Sequence, residues 1–193
     1  MQITPIDISH ADELAALSKS IYREYYLHLW YPGGAEWYMN EQAYHPDTLK
    51  SELADRNNLH FIVYENKQPM GYLKIKINAT LKESEPWNSL EIERIYLHKK
   101  IAGKGIGKQL MLLSEDIAKQ HNKNMIFLKA MDSSTEAIGF YQKMGYTVCG
   151  TLTLPFPLLK ESFRGMVILQ KNISSRPGIA RPEAKQPESQ NPP

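Results

Sequence analysis

The sequence predicts a mixed α/β domain, hairpin-rich in its first half and alternating strand and helix in its second. Three observations carry that prediction. Residues 60–65 and 71–78 are two apolar-rich runs joined by NKQP, a hairpin signal. Gly103, Gly105 and Gly107 punctuate the passage from a strand over 89–98 into a helix whose Ile106, Leu110, Leu113 and Ile117 form one stripe. Finally, 193 residues with 42% hydrophobic and 23% charged side chains suit one globular domain large enough to bury a core.

The elements follow in order. QITPI opens as a candidate strand, and Ser9 with Asp12 and Glu13 reads as a helix start before Leu14, Leu17, Ile21 and Tyr25, which share one face. Pro46 suits the first turn of a second helix, which carries Leu49 and Leu53. Beyond the hairpin and the glycine turn, 125–131 reads as a strand. Ser133 and Glu136 have capping-box spacing ahead of a short helix over 135–144 that stops at Gly145. Strands over 146–154 and 164–171 close the domain, whose expected extent is 1–171. The remainder holds five of the twelve prolines and only two branched aliphatics, so 172–193 is expected to be a disordered tail.

Composition excludes several classes. Twenty-three basic against twenty-one acidic side chains, a net charge of +2, give no nucleic-acid-binding footprint. A single cysteine, Cys149, rules out an intrachain disulfide and a cysteine-rich zinc site, and its strand position reads as an inert core thiol in a reducing cytosol. The six histidines lack metal-ligand spacing, so no metal is expected. Neither a signal peptide nor a membrane span is read in the chain, and the expected location is cytoplasmic.

The densest signal is KKIAGKGIGKQL, residues 99–110. Glycines there let backbone amides approach a ligand closely, and a helix N-terminus with Lys104 and Lys108 favours a phosphate or pyrophosphate. A Walker loop needs G-x-x-x-x-G-K-S/T and a dinucleotide turn needs G-x-G-x-x-G; the G-x-G-x-G here fits neither. A tight turn without ligand is the alternative.

LEIERIYLHKKIAGKGIGKQLM and, further along, SSTEAIGFYQKMGY resemble the GNAT family of N-acetyltransferases, and within it the bacterial branch that includes polyamine acetyltransferases. Gly105 and Gly107 match the family's two required glycines and Gly103 is a common extra, while Ala102 stands where Arg or Gln is usual. Ala137, Phe140, Tyr141, Lys143, Gly145 and Tyr146 match the second motif, and Ser134 replaces the more usual Asn. The resemblance implies a mixed, mostly antiparallel twisted sheet of six or seven strands flanked by four helices, with acetyl-CoA held between two splayed central strands. It also implies cofactor contacts from Ile95, Tyr96 and Leu97 on the strand, from Ala102, Gly103, Lys104, Gly105, Ile106, Gly107 and Lys108 in the turn, and from Ser134, Ala137 and Lys143.

Acetyl transfer to an alkyl amine of pKa about 10 needs a base to remove its proton. A strand period of two places Glu91, Glu93, Ile95 and Leu97 on one face, with Arg94 and Tyr96 on the other. Both are candidate bases; the resemblance favours Glu93, nearer the implied thioester, with Glu91 the alternative and also a candidate contact to the substrate, and a solvated or lysine-paired Glu is the plain reading of either. Tyr141 matches the family's general acid for the departing thiolate, its alternative being a half-buried aromatic with Phe140 on the fully buried side. The resemblance further implies that the Leu97 amide polarises the thioester carbonyl.

Residues 22–44 hold eight of the nineteen aromatics. Trp30, Tyr31 and Trp37 are candidate substrate walls, with Glu24, Glu36 and Glu41 adding negative charge; a core stripe plus a dimer surface is the other reading. The expected function is acetyl-CoA-dependent transfer to a small-molecule amine. Acetylation of a protein N-terminus or lysine, and a non-catalytic acyl-CoA-binding module, are the alternatives, and a homodimer stays open.

Overall fold

A computed structural model describes residues 1–81 and 88–173. Seven strands, β1 (Gln2–Pro5), β2 (Asn58–Glu65), β3 (Gln68–Ala79), β4 (Ser89–Leu97), β5 (Met125–Met131), β6 (Thr147–Thr153) and β7 (Gly165–Asn172), form one sheet in the order β1-β2-β3-β4-β5-β7-β6. Only β4 and β5 run parallel; every other neighbouring pair is antiparallel. Helices α1 (Ala11–Tyr25) and α3 (Pro46–Ala54) bury Leu14, Ile21 and Leu49 with Ile62 and Tyr72 on one face. Helices α4 (Ile106–Gln120) and α5 (Thr135–Lys143) bury Leu110, Met111 and Tyr141 with Leu73, Leu90 and Ile126 on the other. A single turn, α2 (Gly34–Trp37), runs into a π-helical turn over Tyr38–Ala43. The mixed α/β architecture, mostly antiparallel with four longer helices, is the expected one. Among the described residues, no helix is long and apolar enough to cross a membrane.

Several local readings change. Helix α1 is preceded by a 3-10 turn over Ile8–His10 whose cap is Asp7, its Oδ1 accepting from the Ser9 amide at 3.0 Å, so Ser9 is capped rather than capping. The hairpin turn narrows to Asn66 and Lys67, with φ of 51° and 65°, because two left-handed residues match the strands' right-handed twist. Helix α5 starts after Ser134, whose side chain makes no cap bond, so no Ser133–Glu136 capping box forms. Cys149 is exposed on the edge strand β6, not in the core. Strand β7 runs one residue past the expected domain end and Ile173 is buried; the expected tail from 174 onward lies outside the described residues.

Two irregularities of β4 organise the centre. First, its register with β3 passes from Lys74↔Arg94 to Ile75↔Ile92, leaving Glu93 as an extra residue in a bulge. Second, its pairing with β5 covers only Ser89–Ile92 against Met125–Leu128. Beyond that point β4 stays on β3 while β5 stays on β7, and the two strands part.

Candidate active site

The opening between β4 and β5 leads into a cavity of about 410 Å³. Glu91, Glu93, Arg94, Ile95 and Tyr96 line it from β4, and Lys129, Ala130 and Met131 from β5. Helix α5 contributes Tyr141 and Ala137, preceded by Ser134. The cavity therefore gathers both expected catalytic residues, four of the expected cofactor contacts (Ile95, Tyr96, Ser134, Ala137), and Glu91 and Trp30. The His98 amide donates to the Met70 carbonyl at 2.8 Å; backbone alternation along the strand turns the preceding Leu97 amide to the opposite edge, toward the opening.

The glycine turn lies at the N-terminus of α4. Gly103 and Gly105 have φ of 78° and 80°, which glycine adopts without penalty, and a Cβ at either would meet no protein atom within 4 Å. At the start of helix α4 the amides of Ile106, Gly107 and Lys108 have no intrahelical acceptor, and no side chain caps them. These amides suit a pyrophosphate. The Ala102 amide does not join them, because it donates to the Lys99 carbonyl at 3.1 Å in a 3-10 turn. Lys104 and Lys108 are exposed beside the turn, Lys104 3.3 Å from Glu65. Gly107 faces α5: a Cβ there would stand 3.4 Å from the Phe140 ring. Lys143 is exposed at the end of α5 and outside the cavity.

The bulge rearranges the expected faces of β4. Ile92, Ile95 and Leu97 pack into the α4 side, whereas Glu93, Arg94 and Tyr96 all turn toward the α1 and α3 side, since the extra residue resets the alternation. Glu93 Oε1 stands 2.7 Å from Lys74 and its Oε2 2.6 Å from Lys76. Glu52 of α3 holds Lys74 at 2.9 Å and clasps Arg94 through two bonds of 2.7 and 3.0 Å. Burial alone would raise the Glu93 carboxyl, but Lys74, Lys76 and Arg94 outweigh it and hold the group down at about 2. Glu93 thus has the position expected of the base but is a poor acceptor for an amine proton. Glu91 has a different partner, Lys129 Nζ at 2.8 Å.

Beneath these ions, burial and the Lys74 charge push His60 down to about 4. Its imidazole stays neutral in the fold at pH values where an unfolded chain, with a pKa of 6.5, would protonate it. Glu93 likewise stays unprotonated, as the carboxylate, between 4.5 and about 2. Both pKa values are lowered by folding, so the unfolded state binds more protons and stability falls with acid, first below pH 6.5 and again below 4.5. Urea midpoints followed from about pH 7.5 to about pH 3 are expected to fall in this order, and His60→Asn to flatten the upper step.

Aromatic rings close the cavity's other side. Trp30 stacks on Tyr38 with centroids 5.1 Å apart and donates from Nε1 to the Tyr22 hydroxyl at 2.8 Å. The π-helical turn places Tyr38 and, just beyond it, Tyr44 on the same wall. Trp37 packs behind, against Phe156 and Trp30, and does not line the cavity. Tyr31 is 43% exposed and donates to Glu161 at 2.7 Å on the surface. Expected carboxylates do not gather here either: Glu24 faces His98 and the Lys99 amide, while Glu36 and Glu41 lie outside the cavity. Tyr141, rather than Phe140, is the more buried member of its pair, and burial pushes its hydroxyl up to about 12.

Sequence reasoning missed Lys76, Lys129, Phe156 and Met166. Lys76 is one of two lysines in β3 and Lys129 the single one in β5, and their place at the site is legible only once β3, β4 and β5 are laid side by side. Phe156 comes from the segment between β6 and β7, docked on the first half of the chain by the Trp30↔Leu159 bridge and a hydrogen bond of 3.0 Å from the Tyr31 amide to the Leu158 carbonyl, and Met166 from the start of β7. No local motif announces that docking.

Comparison with known proteins bears on this site. An uncharacterized N-acetyltransferase of Lactobacillus delbrueckii subsp. lactis is 31% identical over 107 residues, 55% of this chain and 62% of that relative. The match thus spans about three fifths of the relative's length. The PaiA N-acetyltransferase of Thermoplasma acidophilum, solved in complex with coenzyme A, superposes with a TM-score of 0.70 at 21% identity, over 89% of this chain and 99% of that one. A ribosomal-protein-alanine N-acetyltransferase of Brucella melitensis gives 0.68 at 18% identity, over 89% and 99%. These two likenesses show the fold. The profile of the acetyltransferase (GNAT) family matches residues 19–146, from the middle of α1 through the splayed strands and the glycine turn to the end of the second motif, and with that the chain belongs to the GNAT family.

Proposed function

We propose that this chain transfers the acetyl group of acetyl-CoA to the primary amine of a small molecule. The observation that carries the reading is the continuity of the β4–β5 opening with an aromatic-walled cavity that also holds Tyr141 and two carboxylates. The α4 amides and the turn glycines hold the pyrophosphate, and the free edge of β4 receives the extended arm, with the Leu97 amide directed at the thioester oxygen. The acceptor nitrogen, freed of its proton, attacks the thioester carbon. A C–N bond forms, the C–S bond breaks, and the thiolate takes a proton, giving an N-acetyl amine and free CoA thiol.

Two groups handle protons. Glu91 accepts the ammonium proton, directly or through a water, in preference to Glu93, whose two ammonium partners hold it at about 2. Tyr141, at about 12, keeps its proton through neutral pH and offers it to the developing thiolate. Thiol release from acetyl-CoA with pooled amines tests the activity.

The same assay assigns the roles. Glu91→Gln is expected to lower turnover about 100-fold near neutrality, with the deficit shrinking as rising pH deprotonates the amine unaided. Tyr141→Phe is expected to lower kcat about 10–100-fold with a deficit that persists at high pH. A pH-dependent recovery seen in Glu93→Gln and absent from Glu91→Gln would return the base to Glu93.

A further inference from the structure

The charges around the cavity bear on what kind of amine it takes. Lys76, Arg94 and Lys129 line it as cations, Glu91 and Glu93 as anions. Arg94 is committed to Glu52 through its two-bond clasp. The remaining ion pairs share one orientation. In the Lys76–Glu93 pair the lysine side chain is 39% exposed and the glutamate 21%. In the Lys129–Glu91 pair the figures are 39% and 10%. In each pair the lysine is thus the more exposed partner, and both lysines line the cavity. An ammonium has three N–H donors, and one carboxylate partner leaves donors on each lysine for a further acceptor. The two lysines also flank Glu91, Lys76 being its register partner on β3 and Lys129 lying on the parallel strand β5.

Resting on the acetyltransferase reading, we propose that the acceptor carries an anionic group, a carboxylate or a phosphate, received by Lys76 and Lys129 while its amine faces Glu91. The aromatic wall of Trp30, Tyr38 and Phe156 takes the uncharged body of the molecule. A polyamine is disfavoured on the same grounds. Its further ammonium groups would meet two exposed lysine heads, with the carboxylates that could balance them already paired. The acceptor class is thus a zwitterionic or anionic amine.

Matched pairs of amines test this on the full chain: L-phenylalanine against phenethylamine, O-phosphoethanolamine against ethanolamine, and spermidine as the polycation. Both thiol release and calorimetric binding are measured. The acidic member of at least one pair is expected to bind at least ten-fold tighter and to show a KM at least ten-fold lower, and which pair responds distinguishes carboxylate from phosphate. Lys76→Met and Lys129→Met are each expected to reduce that preference several-fold, read as the ratio of the acidic to the neutral-tail member's affinity within each variant. Equal or better use of phenethylamine, ethanolamine or spermidine, with thiol release intact, overturns the anionic-acceptor assignment. Preferential binding of an acidic amine without thiol release upholds the docking site and overturns acetyl transfer instead. Absence of both preference and binding overturns the docking site.

Discussion

Gly105→Val is expected to weaken acetyl-CoA binding at least about 100-fold, close to 3 kcal/mol, while leaving a folded protein. The residue has φ of 80°, a region that costs a side-chain-bearing residue about 1–2 kcal/mol, and a β-branched one is the least able to adopt it. Within the protein a Cβ would touch nothing inside 4 Å, so the obstruction falls on a ligand approaching the turn, not on the core. Calorimetry with acetyl-CoA, paired with a thermal melt, reads both parts. Unchanged affinity in a folded variant would mean that the phosphates are held elsewhere. Gly107→Val has a second consequence, since its side chain would press on Phe140 and displace the helix that carries Tyr141.

Glu52→Ala is expected to cost about 3–5 kcal/mol of stability, the range for leaving buried charge without its partner. Glu52 touches none of the proposed chemistry, yet both Lys74, whose side chain is 3% exposed, and Arg94 depend on it. Without it two cations face one another across the bulge with Glu93 as their remaining anion. For a chain of this size the loss lowers the melting temperature by about 10 °C or more. Replacing the ions together by apolar residues, as in Glu52→Leu with Lys74→Met, is expected to cost less than the single change, because no charge is stranded. A drop under about 1 kcal/mol in Glu52→Ala would show that water reaches the cluster and screens it.

Much of this architecture was legible before any coordinates. The stripe Ile106, Leu110, Leu113 and Ile117 specified α4, the three glycines specified the turn ahead of it, and 125–131 and 135–143 were bounded to within a residue. Local pattern suffices where one element's own periodicity meets one core face. It failed at β4, where period two put Arg94 opposite Glu93. The bulge depends on how β3 pairs across the gap, and no alternation within LEIERIYL encodes it. The aromatic-rich stretch misled for a related reason: Tyr31 and Trp37 read like Trp30 and Tyr38, but the π-helical turn and the docked segment after β6 decide which rings reach the cavity. Glu93 looked basic because its three cationic neighbours are scattered over two strands.

Four residue pairs join β4 to β5, whereas β3 with β4 and β5 with β7 continue their pairing well past that point. In mechanical terms the sheet is two leaves stitched at one end, and the loose end is where the proposed acetyl-CoA arm would lie. On the proposed function, a molecule lodged there would supply the main-chain partners that each strand lacks, so the sheet would be completed by something that departs after every turnover. Slow amide exchange along the facing edges of Glu93–Leu97 and Lys129–Met131 is then expected only with acetyl-CoA bound, and without it the sheet has unpaired strand edges at its centre as well as at its rim.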